Sequence, residues 1–168
     1  MLAEELNNFN RDNIIINDPI KNSVLQHSNF YKLSYSNNIL FYNGIFILFD
    51  INNLNINNKT YKIDFNDSFN DSNKLIELEK YILNIVNIKN KIPQFKLAET
   101  FSSNNFKFSL SESDINFKNH KFLNNKTCHN KFIIKFSGIW ETKDSYGITF
   151  KIINIKNILT IIDQPSVE

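Results

Sequence analysis

Apolar and polar residues alternate with a period of two over much of the chain, the period of a strand with one buried face. Phe30-Tyr31-Lys32-Leu33-Ser34-Tyr35 predicts a first strand. Ile39-Leu40-Phe41-Tyr42 and Ile45-Phe46-Ile47-Leu48-Phe49 flank Asn43-Gly44. That dipeptide tolerates the two positive-φ positions of a type I′ turn, so the segment predicts a tight hairpin. Further strands are expected at Lys59-Thr60-Tyr61-Lys62-Ile63-Asp64-Phe65, at Phe106-Lys107-Phe108-Ser109-Leu110 and at Ile115-Asn116-Phe117-Lys118. The two strongest strands cover 131–140 and 147–156, joined by a loop at 141–146. On the first, Phe132, Ile134 and Phe136 are expected to share a face with Trp140, leaving Lys131, Lys135 and Ser137 on the other. On the second, Ile148, Phe150 and Ile152 share one face, and Thr149 and Lys151 the other. Pairing of the two would set Lys135 and Lys151 on one outward surface.

One segment changes period. Leu75, Leu78, Ile82 and Ile85 recur at helical spacing, Asp71 or Ser72 can cap the start, and Pro93 stops any continuation. A single helix at about 72–89, packed on the sheet, follows, with Glu77, Glu79 and Lys80 expected on its solvated face. Residues 1–26 read as an N-terminal arm in which Ile14-Ile15-Ile16 forms a short strand or edge contact. Residues 27–160 read as one β-rich domain and 161–168 as a short tail. Strands around a mid-chain helix give a mainly β fold, an antiparallel barrel or a sandwich.

Composition narrows the function classes. Apolar residues make up 42% of the 168 positions and aromatics 14%, enough for a real core. No apolar run approaches the roughly 20 residues of a membrane span, so no membrane partner is expected. One cysteine, Cys128, excludes an internal disulfide and fits an intracellular, reducing setting. Asn, Ile, Lys and Phe dominate while Arg11 is the lone arginine, a bias of A/T-rich codons that discounts Asn-rich stretches such as 52–58 as loop filler. Enzyme signatures are lacking. Three glycines, Gly44, Gly138 and Gly147, cannot build a phosphate loop. Cys128-His129 with His120 and His27 is poor zinc spacing, and Cys128 in a polar loop lacks the setting of a nucleophile. Neither catalysis, cofactor nor metal is expected.

Charge adds a location. The net charge is only +2, yet residues 106–156 hold nine lysines against four carboxylates. The same stretch holds Phe106, Phe108, Phe117, Trp140, Tyr146 and Phe150. Cations for phosphates beside aromatic faces for bases is the combination a single-strand-binding groove needs. The competing reading is a solvated lysine face on a structural or assembly domain, whose mark would be an apolar patch or edge buried in a homo- or hetero-oligomer.

The segment Ile134-Lys135-Phe136-Ser137-Gly138-Ile139-Trp140-Glu141-Thr142-Lys143-Asp144-Ser145-Tyr146-Gly147-Ile148-Thr149-Phe150-Lys151 resembles the C-terminal part of the podovirus-type single-stranded DNA-binding proteins, which have relatives in large DNA viruses of eukaryotes. Their strand, aromatic-bearing turn, strand-opening glycine and alternating basic strand match Lys135 and Ser137, Trp140, Gly147 and Lys151. The resemblance implies an OB-like barrel, single-stranded DNA as partner with replication proteins beside it, and a role in viral genome replication or recombination, in the host nucleus or a cytoplasmic replication site. It departs from that family at the end, where Asp163-Gln164-Pro165-Ser166-Val167-Glu168 replaces a long acidic tail with a terminal aromatic. The binding residues expected on this reading are Tyr31, Tyr35, Phe108, Trp140 and Tyr146 for stacking, and Lys107, Lys135 and Lys151 for phosphates.

Overall fold

A computed structural model of the chain describes residues 3–24, 27–37, 39–51, 53–57, 60–64, 69–102, 106–108 and 128–159. In chain order the strands and helices are β1 (Glu4–Glu5), β2 (Ile14–Lys21), β3 (Asn29–Ser36), β4 (Phe41–Asn43), β5 (Ile45–Ile51), β6 (Asn53–Asn57), β7 (Thr60–Asp64), α1 (Phe69–Val86), β8 (Ile92–Gln94), α2 (Lys96–Ser102), β9 (Phe106–Phe108), β10 (Cys128–Glu141) and β11 (Ser145–Leu159). Eight strands join in one open sheet, and β6, β7 and β9 form a second. The fold is mainly β with one principal helix, as the alternation predicts.

The long hairpin of β10 and β11 is the spine of the main sheet, paired from Cys128↔Leu159 to Glu141↔Tyr146. The other edge of β10 is shared by two strands in succession. β5 pairs with 130–136 and β3 with 138–141, both antiparallel. β1 adds to β5 and β8 to β11 in parallel, so the sheet is mixed rather than wholly antiparallel. β2 covers the far edge of β3, with its register shifted between Ile16 and Pro19. A proline cannot donate to the ladder, so a break at this edge strand is its natural place.

One face of the main sheet is dry. Leu33, Ile45, Ile47, Phe49, Phe132, Ile134, Phe136, Ile139 and Ile148 pack there with Leu75, Leu78, Ile82 and Leu83 of α1 and with Leu97 and Phe101 of α2. The apolar stripe read from the sequence is thus the packed face of α1, which runs three residues earlier at each end than expected. Ile85 is the exception, half exposed at the last turn.

Several expectations are corrected. Asn43-Gly44 does not close a hairpin. β4 pairs back onto β3 through a turn at Asn37, whose backbone N–H donates to the Leu40 carbonyl (3.1 Å), and β5 departs to pair with β10. Gly44 does have a positive φ (106°), but it serves a corner where the backbone runs against β10. A Cβ there would stand 2.7 Å from Lys135 Cε. Residues 1–26 are not a separate arm: they contribute β1 and β2 to the main sheet, and the short edge strand expected at Ile14-Ile15-Ile16 is part of β2, where Ile14 and Ile16 pair with Tyr35 and Leu33. The Asn-rich stretch is strand β6, whose Leu54 and Ile56 alternate with Asn opposite β7. α2 has no counterpart in the expectation of a single helix. The strand expected at 115–118 and the tail at 161–168 lie outside the described residues.

Candidate functional site

The site begins with one extra residue. Between Phe136 and Gly138 the register of β10 against β11 shifts: Phe136 faces Phe150, Gly138 faces Thr149, and Ser137 is left over. A bulge of this kind reverses which face every later residue takes. Before it, Phe132, Ile134 and Phe136 point to the core. After it, Ile139 and Glu141 do, at 0% and 6% exposure. Trp140, expected beside Phe136, stands on the opposite, outer face, partly exposed.

That outer face can be read row by row from the cross-strand partners. Trp140 faces Phe30 on one side and Gly147 on the other. The next row holds Lys32, Gly138 and Thr149, and the next Phe46, Lys135 and Lys151. The rings lie on glycines. A Cβ on Gly138 would be 2.3 Å from Phe30 Cζ, and one on Gly147 would be 2.7 Å from Trp140 Cζ2. Aromatic rings covering bare glycine backbone shield it while leaving their own outward surfaces available. Lys135 leans over the Phe46 ring, its Nζ 5.0 Å from the centroid, a cation–π contact. Lys32, Thr149 and Lys151 are exposed. Farther along β10 the outer face is closed, since Ile133 is buried.

Behind the aromatic row sits a charged cluster. Glu141 Oε2 accepts from Asn29 Nδ2 (2.9 Å) and from the Tyr31 hydroxyl (3.0 Å). Its Oε1 accepts from Lys91 Nζ (2.5 Å), which also donates to the Thr142 carbonyl (2.6 Å). Burial pushes the Glu141 carboxyl upward, but the bonds from Lys91, Asn29 and Tyr31 and the Lys91 charge outweigh it and hold it below the usual carboxylate range. Burial, then the hydrogen bond to Glu141 and its charge, raise the Tyr31 hydroxyl.

The expected binding residues divide accordingly. Lys135 and Lys151 are direct cross-strand partners and share the outer face with Trp140. Tyr31 pairs with Ile139, so it points inward and spends its hydroxyl on Glu141. Tyr35 and Tyr146 are core residues, 3% and 4% exposed, and offer no stacking surface. Tyr35 stacks on Phe9 at 4.9 Å, and the Tyr146 hydroxyl donates to the Leu83 carbonyl (3.4 Å). Lys107 and Phe108 lie on β9 in the second sheet, and their side chains are outside the described residues. Phe30, Lys32 and Phe46 complete the outer face and were missed. Phe30 and Lys32 stand at alternate positions of an expected strand, a pattern that placed them together but gave no hint of which face was open.

Glu79, expected on the solvated face of α1, is 0% exposed. It accepts from the Leu97 (3.0 Å) and Ala98 (3.2 Å) backbone N–H groups at the start of α2. Burial raises its carboxyl despite the N–H bonds from Leu97, Ala98 and Lys96, with Glu99 adding repulsion. This is a structural cap, and it lies on the helix side of the sheet.

Among the described residues no group of three or more His, Cys, Asp and Glu side chains stands where it could hold a metal, and no helix is long and apolar enough to cross a membrane. No family model, curated protein or solved structure matches this chain.

Proposed function

We propose that the outer face of the main sheet binds single-stranded DNA without catalysis. Trp140 and Phe30 serve as base platforms, and Lys32, Lys135 and Lys151 contact phosphates. The observation that carries this reading is the exchange of neighbours after the bulge: a tryptophan on the outer face and a glutamate in the interior. Burial preference alone favours the reverse. Departures of this kind from local burial preference concentrate at functional sites. The rings, the glycines beneath them and the paired lysines supply stacking surface and positive charge in adjoining rows, the two ingredients of sequence-tolerant single-strand binding. The resemblance of 134–151 to podovirus-type proteins supports the same reading and suggests replication or recombination of a viral genome, with an OB-like scaffold and replication proteins as further partners.

Fluorescence anisotropy with a labelled oligo-dT of about 30 nucleotides, longer than the site size of one such domain, tests it against a duplex control. Binding to the single strand that weakens steeply with salt and is lost in Lys135→Glu/Lys151→Glu supports it. No binding at micromolar protein in low salt overturns it.

A second reading, an assembly β-domain, draws on the β3–β4 turn. Ile39, Leu40 and Phe41 are 87%, 38% and 61% exposed there, and Asn37 Oδ1 fixes the turn by accepting from the Ile39 (3.1 Å) and Leu40 (2.8 Å) N–H groups. Light scattering of the wild type and Phe41→Ser decides it: a concentration-dependent oligomer lost in the variant supports assembly.

A further inference from the structure

The Ser137 bulge decides, by one residue of register, which face of β10 Trp140 and Glu141 take. With the Ser137 bulge in place, Trp140 is outer and Glu141 inner. Without it, the alternation that runs through Phe132, Ile134 and Phe136 continues, so Trp140 turns inward while Ile139 and Glu141 turn outward. For Trp140 and Glu141 the second arrangement satisfies burial preference, while Ile139, at 0% exposure, favours the first; an enclosed carboxylate holds the first only if its partners are in place.

The groups that hold it are identifiable. Glu141 is engaged by side chains from two other parts of the chain: Asn29 and Tyr31 on β3, and Lys91 just ahead of β8. Asn29 and Tyr31 flank Phe30, so the same carboxylate that fixes the neighbour of Trp140 also fixes both neighbours of Phe30. Lys91 leads into β8, whose Gln94 carbonyl approaches Gly147 beneath the Trp140 ring, 3.1 Å from where a Cβ would stand. The Lys91–Glu141 pair is itself largely enclosed, its side chains 20% and 8% exposed. Among the described residues of the outer face, Lys32 and Lys151 are solvated and Lys135 lies over the Phe46 ring.

We infer that Glu141 is a positioning residue: its bonds to Lys91, Asn29 and Tyr31 lock the bulged register and thereby keep Trp140 on the outer face. The inference rests on the single-strand-binding reading for its purpose, but not for its test. When the lock is weakened, β10 gains access to the unbulged register and Trp140 withdraws into the core. Glu141 touches no ligand in this scheme and acts only through Trp140 and Phe30.

Trp140 is the one tryptophan in the sequence, so its fluorescence reports its position in the free protein. Glu141→Gln removes the charge and one acceptor. The expected result is a blue-shifted emission with less quenching by acrylamide than wild type, at unchanged far-UV circular dichroism, and oligo-dT affinity weakened roughly tenfold or more, the loss of a stacked base. Should Glu141→Gln fail to fold, Tyr31→Phe removes a single hydrogen bond and shifts emission and quenching the same way by a smaller amount. Emission that stays put or moves to the red in a folded variant overturns the lock. If wild-type protein ignores oligo-dT, the binding reading fails, while the emission of the free variants still decides the lock by itself.

Discussion

The two halves of β10 behave differently, and the boundary is Ser137. Before it, β10 obeys ordinary burial: Phe132, Ile134 and Phe136 fill the core and Lys135 looks out. After it, the charged residue is inside and the indole is outside. The first half is held by apolar area, the second by the buried Ile139 together with a carboxylate that has three side-chain donors. Apolar packing tolerates small shifts, whereas a buried charge is costly unless its partners stay in place. The difference teaches how one strand can pass from filling the core to presenting a surface. Phe136 belongs to the fold, and Trp140 belongs to the surface that the fold presents.

Substitutions sharpen that division. Phe136→Ala, at a site with 0% exposure, is expected to cost about 3–5 kcal/mol in urea unfolding. Trp140→Ala should cost less than half of that in the same assay and show its main effect as about 1–3 kcal/mol of oligonucleotide affinity. Equal stability losses at the two positions would erase the distinction. Gly138→Ala forces a methyl to within 2.3 Å of the Phe30 ring and 2.5 Å of the Tyr31 carbonyl oxygen. Backbone cannot give way there, so a loss of about 1–3 kcal/mol is expected in thermal melts.

Acid should separate the two buried carboxylates. Glu141 is held below its ordinary value, so its contribution is present above the unfolded value of about 4.3 and is lost as pH falls through the lower folded one. Glu79 is raised, so the native state favours its protonated form and its contribution declines as pH rises from the ordinary value through the raised one. Urea midpoints across this range should show a weaker acid loss in Glu141→Gln. In Glu79→Gln the decline on raising pH should flatten.

The smallest effect is the most diagnostic in sign. Lys135 and Lys151 stand directly opposite one another, and like charges in that relation are unfavourable by a few tenths of a kcal/mol. Lys151→Glu should therefore raise the melting temperature slightly while weakening oligonucleotide binding and reducing its salt slope by about one.

Much of the fold was legible because strand alternation is a local signal. The faces of β11, the packed stripe of α1 and the joint outward placement of Lys135 and Lys151 all follow from period. What escaped depended on partners distant in sequence. The Ser137 bulge is invisible to period counting, and it moved Trp140 to the other face. Asn43-Gly44 carries a true backbone preference, but whether positive φ makes a hairpin or a corner was decided by β10. Glu79 read as a surface residue because α2, which it caps, was not foreseen. Aromatic identity, which suggests stacking for Tyr35 and Tyr146, says nothing of exposure, and in both the inward register makes them core.

The most direct test is a titration of the protein with oligo-dT while following Trp140 fluorescence at low and at moderate salt. Quenching that saturates, weakens with salt and is absent with duplex is the expected result. Tryptophan emission indifferent to single-stranded DNA, at concentrations where anisotropy shows it bound, would contradict the assignment of the outer face as the binding surface.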